Sequence, residues 1–272
     1  MTGAPHIQVH AFACSDVGRL RTANEDSFVI ANLSEGARIE ENGVFRFRSG
    51  SLGSLFAVAD GMGGAAAGEV ASKLCLRTVY RDVQEAIREV RQPDLNLVEE
   101  ILIEAVGSAN SRIYELATHN REYAGMGTTL TAVFELQGHL VIGQIGDSRA
   151  YLLRKEQIRQ LTRDQSIVGQ MVSEGQITEE EGRRHAERNI LLQAVGVRPA
   201  VELALINLPL QAGDVLLLCS DGLHSQMSNQ EIFDVAAGSS GPGDACLGLV
   251  DLANERGGPD NITAVLVQFL PE

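Results

Sequence analysis

Residues 54–64 read SLFAVADGMGG, and their reading decides the fold. Residues 54–59 are an apolar run of a buried strand's length, cut off abruptly by Asp60-Gly61. The glycines continue as Gly61-Met62-Gly63-Gly64-Ala65-Ala66, a G-x-G-x-x-A between strand and helix, with Asp82 about twenty residues on. That is the form of a dinucleotide-binding loop, whose helix should lead back to a parallel strand. Here the apolar periodicity runs from Ala66 to about Val90, and the chain then passes Pro93 into a second helical pattern. Asp60 would also set a negative charge beside a loop meant for pyrophosphate. The dinucleotide reading fails, and a doubly wound parallel sheet fails with it.

Outward from this stretch the pattern is antiparallel. The second helix is expected to start at Asn96 as its cap, with Glu99 three residues on and a stripe of Val98, Ile101, Leu102, Ala105, Ala109, Ile113 and Leu116. Residues 129–136 and 139–145 are strand-like and joined by Gln137-Gly138, a hairpin signal. Residues 150–153 and 157–161 suggest another hairpin. Upstream, residues 36–53 are glycine-punctuated with an alternating piece at 44–47, and read as a hairpin or loop. Strands return at 202–208, 215–219 and 262–269, with helices near 229–237 and 244–256 between them. Residues 162–190 are polar and helix-prone, with Thr178 and Glu181 as a capping box, and read as a surface insertion. Two helices in sequence, hairpins on both sides and no βαβ alternation predict an α+β fold with antiparallel sheets and helices packed outside. No repeat or low-complexity linker divides residues 1–272, so a single domain is expected.

The net charge is −14, from 22 Lys+Arg against 36 Asp+Glu, which argues against nucleic-acid binding and against a polybasic membrane surface. Four cysteines, Cys14, Cys75, Cys219 and Cys246, form no C-x-x-C pair, and reduced thiols are the expectation. The first ten residues, MTGAPHIQVH, lack a basic start followed by an apolar run, and the densest apolar stretch, 215–219, is only a strand's length. A soluble, cytoplasmic protein is expected. Cys75 and Arg81 have the C-x5-R spacing of cysteine-dependent phosphatases, but Leu76, Arg77, Thr78, Val79 and Tyr80 between them continue a helix and cannot form a phosphate cradle.

The acids that remain informative end strands or fill turns: Glu25-Asp26 in RTANED, Asp60 in AVADGMGG, Asp147 in IGDSRAY, Asp221 in LLLCSDGL and Asp260 in GGPDN. One strand-end Asp is ordinarily a turn residue. Several brought together would repel, and holding them ionised requires cations between them. Oxygen donors without clustered His or Cys favour a hard ion such as Mg2+ or Mn2+.

These segments resemble, in order, the motifs of the bacterial metal-dependent serine/threonine protein phosphatases, the type 2C or PPM family. RTANED is similar to its R-x-x-x-E-D, DGMGG to its D-G-x-G-G, and Met126-Gly127-Thr128-Thr129 to its M-G-T-T; Gly146-Asp147-Ser148-Arg149, Ser220-Asp221-Gly222 and Asp260-Asn261 follow. The resemblance implies a four-layer α-β-β-α sandwich with two central antiparallel sheets, and a flap at about 162–190. It implies one metal on Asp60, Asp221 and Asp260, and a second on Asp60 and the Gly61 carbonyl with Glu25 near through water. Asp26 would belong to the same centre and orient the bridging water, Asp147 with Asp221 would hold a weaker third ion, and Arg21 would grip the substrate phosphate. The implied reaction is Mn2+- or Mg2+-dependent hydrolysis of protein phosphoserine and phosphothreonine, by a metal-bridged hydroxide attacking phosphorus in line. Implied partners are phosphoproteins, including a Ser/Thr kinase and its targets, met by a monomer.

The chain departs from the family pattern at Met62, where eukaryotic members carry a His that is a candidate acid for the leaving group. His224 is a possible substitute, against a surface or capping role. Thr162-Arg163-Asp164-Gln165-Ser166 resembles a bacterial D-H-S segment with Gln for His, and Asn189 stands where the insertion rejoins the core. The flap reads equally as a determinant of substrate choice and as a tolerated surface loop. Two other readings stay open: a regulatory or small-phosphoester metallophosphatase on the same fold, and a catalytically dead phosphoprotein-binding module.

Overall fold

Without parallel crossovers, the sheets are antiparallel and are built from hairpins together with long connections between distant strands. The computed structural model describes residues 7–63 and 67–271; residues 1–6, Glu272 and the end of the glycine motif, Gly64, Ala65 and Ala66, lie outside them. Along the chain run β1 (Ile7–Asp16), β2 (Asp26–Asn32), β3 (Ala37–Ile39), β4 (Gly43–Arg48), β5 (Ser54–Met62), α1 (Ala67–Arg88), α2 (Leu95–His119), β6 (Gly127–Thr128), β7 (Leu130–Leu136), β8 (His139–Ile145), β9 (Arg149–Arg154) and β10 (Gln157–Gln160). Then come α3 (Ile167–Ser173), α4 (Glu179–Arg183), β11 (Ala204–Pro209), β12 (Val215–Cys219), α5 (Asp221–His224), α6 (Asn229–Gly238), α7 (Pro242–Glu255) and β13 (Ile262–Pro271).

One sheet has the order β10-β9-β12-β13-β1-β4, the other β11-β8-β7-β5-β2-β3, and the pairings in both are antiparallel. Strand alternation divides the apolar side chains among three cores. Phe28, Ile30, Phe56, Val58, Val133 and Ile142 of the second sheet meet Val9, Leu216, Val265 and Phe269 of the first. On the outer face of the second sheet, Val29, Leu55 and Phe134 pack under Val79, Val83, Leu102 and Ile113 of α1 and α2. On the outer face of the first, Tyr151, Leu217 and Ala264 pack under Ile232, Cys246 and Leu249 of α6 and α7. The result is a four-layer α-β-β-α sandwich of the α+β class.

Several expectations shift. Helix α2 is capped by Asp94, whose side chain accepts from Leu97 N at 2.9 Å, and Asn96 lies inside the first turn. Residues 36–53 are no hairpin: β3 pairs with β2 in one sheet, and β4 pairs with β1 in the other. Strands β1 and β2 were not anticipated, although Val9, Ala11 and Ala13 point inward with the period of a half-buried strand. The β7–β8 hairpin is as expected, with Gln137 at φ 50° and Gly138 at φ 80°, the positive pair that a tight two-residue turn needs. Residues 162–190 carry α3 and α4. Their base is closed by a bridge between Ser166 and Leu191, and Val168 and Val172 pack against Gly182.

Candidate active site

The two sheets bring the strand-end acids to one place. In the β2–β5 ladder Asp26 stands opposite Asp60, and Gly61 N donates to Glu25 O at 3.2 Å. Asp147 lies in the connection from β8 to β9, where the chain leaves one sheet for the other. Asp221 opens α5 directly after β12, and Asp260 precedes the neighbouring β13. Arg21, Glu25, Asp60, Gly61, Asp147, Asp221 and Asp260 line one cleft of about 250 Å³ together with Met62 and Asn189. Asp26 is buried next to it. Residues up to 239 positions apart meet directly: Arg21 Nη2 donates to Asp260 Oδ2 at 2.8 Å.

Neighbouring polar groups hold these acids by their backbones. Asp60 N donates to Thr129 Oγ1 at 2.9 Å, and the Asp60 carbonyl accepts from Thr129 N and Thr128 Oγ1, both at 2.8 Å. The M-G-T-T segment is therefore a clamp on Asp60. Ser220 Oγ donates to Asp26 Oδ2 at 2.7 Å and accepts from Thr263 N at 3.0 Å. Asn261 ties the 17–25 loop to Asp260: its Nδ2 donates to the carbonyls of Val17 and Ala23 at 2.9 Å, and its Oδ1 accepts from Glu25 N at 2.8 Å. Close approach explains the glycine beside Asp221: a Cβ on Gly222 would stand 2.0 Å from Asn261 O. On Gly61 it would stand 2.1 Å from Gly68 O. Ser220 and Thr129 stand in the quoted motifs, but the sequence assigns them no supporting role, since that depends on partners far along the chain.

Crowding sets the electrostatics. Burial, then the charges of Asp26, Asp221, Asp147 and Asp260, hold Asp60 well above the ordinary carboxyl range. Burial pushes Asp26 up to about 7, against the hydrogen bonds from Thr263 and Ser220 that pull it down. It pushes Asp221 up to about 6, with Asp260 adding to the shift, and raises Asp147 well above its usual value with Asp221 and Asp164 adding. Asp26 Oδ1 and Asp221 Oδ1 are buried with no hydrogen-bond partner. Among the described residues no group of three or more Asp, Glu, His or Cys side chains is placed, as it stands, to hold a metal ion. The donor set nonetheless fits a hard divalent cation: all oxygen, strongly anionic when ionised, and with two lone-pair-bearing oxygens free.

The flap-side residues resolve differently from expectation. His224 is buried, its Nε2 stands 3.1 Å from the Asp147 carbonyl, and burial with Arg149 nearby pushes its pKa down to about 3. A neutral imidazole there donates Nε2–H to that carbonyl and steadies the Asp147 turn; it is neither a surface residue nor a proton donor at neutral pH. Gln165 does related work, with its Oε1 accepting from Gly146 N at 2.9 Å and its N–H donating to Gly146 O at 2.9 Å. Arg149 grips Asp164 with two bonds of 2.8 and 2.6 Å. Cys75 is buried in α1 with its thiol pushed up to about 12 by burial, which removes the cysteine-phosphatase reading.

With this geometry established, known proteins give a consistent comparison. Residues 43–241 match the family described as Protein phosphatase 2C. The serine/threonine phosphatase stp of Listeria monocytogenes serovar 1/2a is 35% identical over 260 residues, 96% of this chain and 96% of that one. Among solved structures, the Mycobacterium tuberculosis serine/threonine phosphatase PstP/Ppp superposes with a TM-score of 0.80 at 35% identity, covering 97% of this chain and 100% of the other. The catalytic domain of PstP in complex with two manganese ions gives 0.78 at 34% identity, covering 97% and 99%.

Proposed function

We propose that this chain, which belongs to the protein phosphatase 2C family, hydrolyses phosphoserine and phosphothreonine esters in proteins with Mn2+ or Mg2+. The observation that carries the reading is the cleft itself, where acids from both sheets meet, with an orphaned oxygen on Asp221 in its wall, another on Asp26 behind Asp60, and an exposed arginine at its side. Asp60, Asp221 and Asp260 would hold one ion, and Asp60 with the Gly61 carbonyl and nearby Glu25 a second; Asp147 with Asp221 would serve a weaker third. Bound there, the ions supply Lewis-acid charge and a water of lowered pKa. Asp26, anchored through Oδ2 by Ser220, leaves the buried Oδ1 without a partner, the oxygen that would orient a water at the centre. Arg21 spends one donor on Asp260 and has others in the plane of its guanidinium for phosphate oxygens. No Ser or Cys nucleophile is needed, and Met62 in the cleft wall can donate no proton.

The reading extends to a single catalytic unit with residues 162–190 as its flap, acting as a monomer in the cytoplasm on a Ser/Thr kinase or that kinase's targets. It is supported by four buried free cysteines, suited to a reducing compartment, and by exposed apolar residues such as Leu20, Ile103 and Leu247 that stand on separate elements. Among the described residues no helix is long and apolar enough to cross a membrane. The test is phosphate release from a phosphothreonine peptide. Asp221→Asn should abolish Mn2+-dependent turnover, and retained turnover would sink the ligand set. Arg21→Ala should chiefly raise KM; an unchanged KM would remove its phosphate-binding role.

A further inference from the structure

A second cavity, of about 330 Å³, lies between residues 162–190 and the core, and shares Asp147, Asn189 and Asp221 with the cleft described above. Arg163, Arg183 and Arg188 line it, and none of these three guanidinium groups makes a hydrogen bond or ion pair among the described residues. The acids in the same wall do not balance them. Asp164 is already gripped by Arg149, Asp147 and Asp221 are shared with the first cleft, where Arg188 acts on Asp221, and Glu179 is the remaining acid in a wall with three arginines.

This distribution is not what the local sequence would give at random. Residues 162–190 carry six acids and four arginines, and three of the four arginines line the cavity, Arg163 lining a neighbouring one as well. The outward groups are paired or capped: Arg184 with Glu180 at 3.2 Å, Glu181 in the capping box of α4, and Glu174 accepting from Gln170 and Gln176 at 2.7 Å. Like charges gathered on one wall repel, and the acids in the same lining offset them only in part, Asp221 facing the charge of Arg188 and Glu179 standing beside Arg183 in the lining. An incoming anion would offset the rest, and the planar, bidentate donors of arginine suit carboxylate or phosphate oxygens. The molecule outside is strongly anionic at −14, so such selectivity has to be local.

We propose that this cavity is an anion subsite that receives a second acidic group of the substrate, a carboxylate or a phosphate, borne near the scissile phosphoester on the same peptide. The proposal rests on the phosphatase reading for the identity of the first group. Because the two cavities share walls, one peptide can fill both. Val168 and Val172 supply an apolar wall for the stem of that side chain.

The experiment measures binding of fluorescent peptides bearing a non-hydrolysable phosphonate analogue of phosphothreonine, by anisotropy, with intact protein in excess Mn2+. The flanks carry glutamate, a second phosphonate, or alanine only. Acid-flanked peptides should bind about tenfold more tightly than the alanine peptide. Arg163→Ala and Arg183→Ala should each reduce that ratio, and together bring it near one. The tighter of the two acidic peptides identifies carboxylate or phosphate as the preferred source. Equal affinity for all three peptides, or a preference untouched in the double variant, would overturn the subsite. Binding is read whether or not turnover occurs, so a failure of the phosphatase reading would appear separately, as absent phosphate release from an ordinary phosphothreonine peptide.

Discussion

Thr129 carries no chemistry, yet its hydroxyl is the acceptor for the Asp60 amide and also stands 2.7 Å from Ser148 Oγ. Thr129→Val keeps the shape and orphans that buried N–H, at a cost of about 1–3 kcal/mol. It should lower both the melting temperature and kcat, while Thr129→Ser restores most of each. A valine variant with unchanged stability and turnover would show that the clamp on Asp60 is dispensable. At this scale the sequence was legible wherever an acid broke an apolar run, because a carboxylate ending a buried strand is conspicuous. Supports such as Thr129, Ser220 and Gln165 were not legible, since their roles depend on partners 19 to 194 positions away. For His224 the sequence offered an acid role against a surface or capping one; it is buried, with its ring nitrogen against the Asp147 carbonyl, a contact 77 positions away that the sequence does not display.

Among elements, strong periodicity translated directly into structure. The stripe from Val98 to Ile113 is the buried face of α2, and the 129–145 hairpin formed around its positive-φ turn. Boundaries and weak strands did not translate. Residues 36–53 looked like a local hairpin because turn residues flank short runs, but each run pairs with a strand outside the segment and the sheets separate them. For α2, the two candidate caps two residues apart are separable by experiment. Asp94→Ala should cost about 1 kcal/mol of stability, whereas Asn96→Ala should cost little. Chemical denaturation of the two variants checks this, and the reverse ranking would place the helix start at Asn96.

For the molecule as a whole, the surplus of 14 negative charges divides into two populations. Most sit on solvated faces, while the cleft gathers carboxyls whose burial and mutual repulsion disfavour ionisation. Cations bound there would stabilise the folded state by mass action. At a hundredfold excess over Kd the gain is about 2.7 kcal/mol, or roughly 5–10 °C in melting temperature for a domain of this length. Mn2+ should therefore raise the melting temperature of metal-stripped protein, and Asp60→Asn should blunt the rise; an identical rise in that variant would place the ions elsewhere. The central claim is metal-dependent phosphoester hydrolysis in this cleft, and the direct measurement is phosphate release from a phosphothreonine peptide as Mn2+ is titrated into stripped enzyme. No release is expected in EDTA, saturable recovery with Mn2+ or Mg2+, and none at any metal concentration for Asp60→Asn; undiminished release in EDTA would contradict metal-dependent hydrolysis in this cleft.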